Sequence, residues 1–215
     1  MTKKILIGLL VVVLLAALFP VASYIYWLGR AYLDPMGALR IQEQFEKLPS
    51  EELLRKLHSI DPISPYPSIA IDVLTKRKEP MAVPVFIELT KSRNKMLRSH
   101  VIRSLCEIGD KRAIPRLLEI VEAGEIKPPS DSHDALYSLC LLGYEPVRPY
   151  VLKMLRSPDA LNNGSLTMLR NIGKKEDIPT LGEMLNKVSP NDINARSHKG
   201  DIRAAIKAIE ERDGK

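Results

Sequence analysis

Histidine and cysteine would reveal a metal or a nucleophile most directly. The four histidines are His58, His100, His133 and His198. No two stand four residues apart, the spacing that puts two imidazoles on one helical face for zinc. Cys106 and Cys140 are too few for a disulfide framework and fit no zinc pattern. There is no Gly-x-Ser-x-Gly elbow, phosphate loop or dinucleotide fingerprint. The neighbouring acids Glu51/Glu52 and Glu210/Glu211 fall at a helix start and in the tail, where solvated surface is the expected role. On this reading the chain has no catalytic residue, cofactor, metal or small-molecule substrate, and is not an enzyme.

The remaining chemistry is recognition. Tyr137, Tyr144 and Tyr150 place three of the seven tyrosines within a short stretch that also holds Leu141. Whether those rings face water or core depends on the elements that carry them.

The carrying pattern emerges when the chain is aligned on Pro84, Pro115, Pro149 and Pro179. Ten residues before each proline stands Leu74, Leu105, Leu139 or Leu169, and thirteen before stands Ile71, Ile102, Leu136 or Leu166. Six before stand Lys78, Gly109, Gly143 and Gly173. Two after stand Phe86, Leu117, Val151 and Leu181, and five after stand Leu89, Ile120, Met154 and Met184. The aliphatic slots predict the buried face of a first helix. The glycine suits a left-handed C-cap, and the proline suits the first turn of a second helix, where its missing N–H removes no hydrogen bond. The slots two and five after it predict the second helix's buried stripe. A period near thirty residues signals stacked helical hairpins. A final segment, IRAAIKAIEER, places Ala205, Ile206 and Ile209 in the slots of a closing first helix.

Cys106 and Cys140 share one slot of successive units. Stacked helices lie about 8–10 Å apart, whereas a disulfide needs Cα atoms within about 4.4–6.8 Å. Two small, semi-buried thiols are expected.

Within this frame the exposed slots of the first helices hold Asp72/Lys76, Arg103/Glu107 and Thr167/Asn171, but Tyr137/Leu141 in the third unit. Tyr144 follows in the turn and Tyr150 begins the next helix. Tyrosine-rich exposed patches favour protein partners, so Tyr137, Leu141, Tyr144 and Tyr150 are the candidate partner-binding residues. The alternative is packing beneath the Pro128-Pro129 loop or against the N-terminal helices. Two long loops, 122–132 and 186–200, interrupt the period on one edge of the stack.

Upstream, Ile5 to Gly29 contains no charged residue and is longer than the roughly 20 residues that cross a bilayer. Lys3 and Lys4 flank one end and Arg30 the other, with Tyr24, Tyr26 and Trp27 at the far interface. A cleaved signal peptide would have a shorter apolar core, so residues 1–33 are expected to form a transmembrane signal anchor contacting lipid through residues 5–29. The basic tail favours a cytoplasmic N-terminus, against Arg30, Arg40 and Lys47 on the other side. The repeat domain would then lie outside the cytoplasm, in the periplasm of a diderm bacterium. Residues 34–67 read as capping helices and a Pro-rich connector. Ile41, Phe45 and Leu48 form one stripe, Leu53, Leu54, Leu57 and Ile60 another with Ser50 as N-cap, and DPISPYP closes the segment. Residues 68–215 hold the stack.

The segment LRSHVIRSLCEIGDKRAIPRLLEIV resembles the short HEAT-like repeat of phycobilisome-lyase-type proteins. The resemblance spans about residues 68–212. Arg98 falls where such repeats often carry an arginine, and the other units depart from this with Pro67, Ser132 and Asn162. It implies an α-solenoid of stacked hairpins with a role as an interaction scaffold; with the anchor read from residues 5–29, the expected fold is all-α, one transmembrane helix followed by that solenoid. The lyases attach bilins, but no pigment site is marked here.

Charge argues the same way. Three of the 32 basic residues lie in 1–33, leaving 29 against 26 acidic residues in the remainder. The second helices alternate in sign, with Glu88, Lys91, Arg116 and Glu119 among their outward residues. A nucleic-acid groove would want one sign and stacking aromatics, so no nucleic-acid partner is expected. The expected function is a membrane-tethered HEAT-like scaffold for another membrane or envelope protein. The alternative is an accessory lyase or chaperone acting on a cofactor-bearing protein.

Overall fold

The computed structural model describes residues 35–59, 66–124, 126, 130–157, 160–161, 164–189, 191 and 193–213. Among them are eleven α-helices and three short 3₁₀ turns, with no strand. They are α1 (Pro35–Lys47), α2 (Ser50–Ser59), α3 (Tyr66–Lys76), α4 (Ala82–Leu89), α5 (Lys95–Ile108), α6 (Ile114–Ala123), α7 (Asp131–Leu141), α8 (Arg148–Leu155), α9 (Ser165–Ile172), α10 (Ile178–Lys187) and α11 (Ala195–Asp213). The expected span 5–29 and most of the connector lie outside the described residues. Among those described, no helix is long and apolar enough to cross a membrane.

The chain divides into two compact units, 1–77 and 78–215. In the first, α1 and α2 both pack on α3. Phe45, Leu53 and Leu57 are buried, as are Ala70, Val73 and Leu74. Arg77, just past α3, ties the pieces together. Its guanidinium donates to the carbonyls of Glu46 at 2.8 Å and Leu48 at 2.9 Å, and to Ser50 Oγ at 3.3 Å. Those carbonyls belong to the C-terminal end of α1, where a cation also meets the negative pole of the helix. Ser50 is therefore not the N-cap expected of it. It lies inside α2, and the carbonyl of Pro49 accepts from Glu52 and Leu53 instead. The connector is also shorter than expected: Tyr66 and Pro67 already belong to the first turn of α3, where proline is tolerated.

In the second unit each first helix packs on the preceding second helix: α5 on α4, α7 on α6, α9 on α8 and α11 on α10. First helices also stack on one another, α5 on α7, α7 on α9 and α9 on α11. Ile102, Leu105, Leu136, Leu139 and Leu169 are fully buried or nearly so. The second helices depart from the expected stripe. Phe86, Leu117, Val151 and Leu181, two after the proline, are buried. Of the slots five after, Leu89, Ile120 and Met184 are only half-buried. The stripe continues instead through Thr90, Val121 and Leu155, six after, and through Ala82, Ala113, Val147 and Asp177, two before. Steps of four residues along each helix explain this: the three slots stack on one face.

The turn slot splits into two physical cases. Gly109 and Gly143 adopt φ of 82° and 69°, the left-handed cap that glycine supplies without strain, and Lys78 enters the same region at φ 50°. Gly173 is extended at φ −65° and ψ 156°. Its reason is space: a Cβ there would stand 2.6 Å from the Leu169 carbonyl oxygen and 2.7 Å from Ile209 Cδ1. The closing helix α11 thus packs directly onto this turn. It starts at Ala195, well before the expected segment, so the loop expected over 186–200 narrows to 188–194. Its buried stripe is Ile202, Ala205 and Ile209, with Ile206 half-buried.

Candidate protein-interaction surface

Helix α7 is well anchored at its start. Ser130 Oγ accepts from the His133 N–H at 3.1 Å, and Asp131 and Asp134 sit in the first turn at the positive pole. Ala135, Leu136, Leu139 and Cys140 are turned into the core. That rotation leaves Tyr137 half-buried and Leu141, one turn on, 46% exposed. The equivalent places on α5 hold exposed Arg103 and Glu107, and on α9 half-buried Thr167 and exposed Asn171. Tyr144 is half-buried at the head of the turn, its N–H donating to the Leu139 carbonyl at 2.9 Å. Tyr150 is half-buried in the first turn of α8. Tyr137 and Leu141 thus share one stretch of helix, with Tyr144 and Tyr150 on the turn and helix that follow. The Pro128-Pro129 loop lies outside the described residues.

Neighbouring repeats are also joined by polar contacts that the column pattern does not show. Arg148, at the head of α8, donates Nη2 to Asp177 Oδ1 at 2.5 Å and Nε to Oδ2 at 3.0 Å, across to the next turn. Asp177 is 4% exposed as a side chain and also accepts from the Lys174 N–H at 2.8 Å. Arg148 further meets Glu176 at 2.7 Å, and Lys174 returns to Glu145 at 2.9 Å. These carboxylates hold the Arg148 pKa above its usual value, with the Asp177 hydrogen bond the largest cause. One turn earlier, Arg112 bonds Asp110 and reaches the Pro80 carbonyl at 2.8 Å. The sequence signal for this ladder is Asp177 itself, an acid in a slot where the other units hold Ala82, Ala113 and Val147.

At the opposite end of the first helices, Arg98 Nε donates to Asp131 Oδ2 at 2.5 Å, and Ser99 Oγ to Asp134 Oδ2 at 2.8 Å. Burial works against ionising Asp134, but the neighbouring His133, the hydrogen bond from Ser99 and the charge of Arg103 outweigh it and lower its pKa. Ser99, Asp134 and His133 do not form a nucleophilic triad. The serine gives its proton to the carboxylate, while His133 Nδ1 stands 3.8 Å from the other oxygen. The arrangement clamps α5 to α7.

Cys106 and Cys140 are free thiols, the first half-buried and the second buried. Burial pushes Cys106 up to about 11, against a hydrogen bond from Ser138, and Cys140 up to about 12. Such thiols hold little thiolate at neutral pH and are poor nucleophiles. On the second helices the charges pair locally, Lys91 with Glu88 at 2.9 Å and Arg116 with Glu119 at 2.8 Å. These pairs mix both signs along the helices, as the alternating charges imply.

Comparison with known proteins agrees with this architecture. The family model described as HEAT repeats matches residues 51–128, a stretch that takes in α2 through α6. No curated protein matches the chain. The helical hairpins and this match, which covers about a third of the chain, together support a HEAT-like repeat architecture. Stacks of this kind present extended surfaces to other proteins and generally mediate protein–protein interaction.

Proposed function

We propose that this chain is a membrane-tethered HEAT-like scaffold whose repeat stack binds another membrane or envelope protein. The observation that carries the reading is the replacement, on α7, of the charged or polar pair found on neighbouring first helices by Tyr137 and the 46%-exposed Leu141. An exposed aliphatic beside a tyrosine is what a partner would desolvate. Tyr144 and Tyr150 extend the contact along the turn and α8. The tether is supported by the uncharged run from Ile5 to Gly29 with its aromatic and basic flanks. It would confine the stack near membrane partners and raise their effective concentration. The basic N-terminal tail favours an orientation with the stack outside the cytoplasm.

Replacing Tyr137 and Leu141 together with glutamate tests the surface. Crosslinking in intact membranes, followed by identification of the adduct, should lose its specific partner while the melting temperature stays within a few degrees. If the double variant unfolds, the pair is core and the surface is elsewhere. Protease protection of the repeat domain in right-side-out vesicles would overturn the orientation.

A further inference from the structure

A second site lies on the turn edge, beginning at Glu145, the residue after Tyr144. Glu145, Gly173, Lys174, Lys175, Glu176 and Arg212 line an open cleft of about 410 Å³. Its shape follows from Gly173: with no Cβ there, Ile209 comes down onto the turn, and Arg212, one helical turn later on α11, is carried over the cleft. Both lining acids are already engaged, Glu145 by Lys174 at 2.9 Å and Glu176 by Arg148 at 2.7 Å. Of the lining cations, Lys175 is not, and Arg212 is engaged only in part. Lys175 makes no ion pair with any described residue. Arg212 gives one arm, Nη1, to the Asn171 carbonyl, while Nη2 is shut off from water and has no hydrogen-bond partner. A guanidinium arm that is dry and unbonded is unfavourable. Released from the Asn171 carbonyl and turned into the cleft, the same fork would place both arms on two oxygens of one planar group.

We propose that this cleft binds a carboxylate, presented by an acidic segment of a protein partner, with Arg212 and Lys175 as its cationic contacts. Arg212 supplies the bidentate fork and Lys175 a point charge beside it. A phosphate monoester would bring nearly two negative charges against Glu145 and Glu176, whereas a carboxylate brings one. The inference deepens the scaffold reading by giving the partner's chemistry, and as a statement about a partner it rests on that reading.

The test uses the full chain in mild detergent and a fluorescein-labelled, C-terminally amidated peptide of alternating alanine and glutamate, read by anisotropy. The double variant Arg212→Gln/Lys175→Gln should weaken binding about tenfold, the loss of one charge-assisted pair. The charge-matched control Lys111→Gln/Arg196→Gln should change it less than about twofold. Lys175→Gln alone, which breaks no contact, should fold normally and still weaken binding about threefold. Equal loss in both doubles means diffuse attraction and overturns the site, as does unchanged binding by Lys175→Gln. Inorganic phosphate displacing the peptide better than acetate at equal concentration overturns the carboxylate preference. None of these readouts involves the natural partner. Failure here therefore leaves the Tyr137/Leu141 crosslinking result standing, and loss of that result leaves this one untouched.

Discussion

Arg148 and Asp177 meet across two successive turns of the stack, in a two-pronged pair of 2.5 Å and 3.0 Å that seats a carboxylate with only 4% of its side chain exposed. The acid occupies a slot that is apolar in the other units, and the arginine from the preceding repeat makes that burial tolerable.

The pair should therefore behave asymmetrically on mutation. Arg148→Met strands a buried charge and should cost about 3 kcal/mol. Asp177→Ala puts in the side chain that this slot carries at Ala82 and Ala113 and should cost less. Arg148→Met/Asp177→Ala should recover most of the loss. Denaturant unfolding of the four species measures the coupling, and additive losses would show that the pair is not coupled.

Gly109 and Gly173 share a slot but should respond differently to alanine. Gly109→Ala meets open space and pays only for its φ of 82°, about 1 kcal/mol. Gly173→Ala meets the Leu169 carbonyl oxygen at 2.6 Å. That contact is with the backbone of α9's last turn, so this turn must shift, at about 2 kcal/mol. Trimming Ile209 to alanine should not rescue Gly173→Ala, because the carbonyl remains. Amide exchange at the C-terminal end of α9, where the Gly173 N–H donates to the Leu169 carbonyl, would report the shift.

Arg77 should hold the first unit's helices in register. Arg77→Gln removes donors to the Glu46 and Leu48 carbonyls. The group is exposed, so the loss should be about 1 kcal/mol. Faster amide exchange at the C-terminal end of α1, with α9 and α11 unchanged, is the expected signature.

The thiols should be quiet at neutral pH and become a liability in alkali. Their folded pKa values, about 11 for Cys106 and about 12 for Cys140, lie above the usual thiol value near 9. The unfolded chain therefore loses these protons first. Their contribution to stability is complete below about pH 8.5 and is lost as pH rises towards 11–12. Cys106→Ala/Cys140→Ala should flatten the fall in stability between pH 9 and 11, and a thiol reagent should label the native protein slowly at pH 7. Rapid labelling of Cys140 at pH 7 would contradict the burial described here.

The sequence by itself determined the helical hairpins, their period and most of the first-helix core. Apolar spacing, glycine and proline act within a few residues, so their consequences are local and readable. It located the Tyr137/Leu141 pair as a departure from its column, and the structure leaves Leu141 among the exposed large side chains. What only the tertiary structure decided is how repeats meet. The second-helix stripe moved from five to six residues after the proline, because the rotation of each helix is set by what it packs against. The ladder of Arg112, Arg148 and Asp177 joins different slots of different repeats, so no column records it. Gly173 shows the difference most plainly: a slot that elsewhere demands a left-handed turn is held here by the approach of Ile209 from a helix thirty-odd residues away, a steric demand that no local pattern can state.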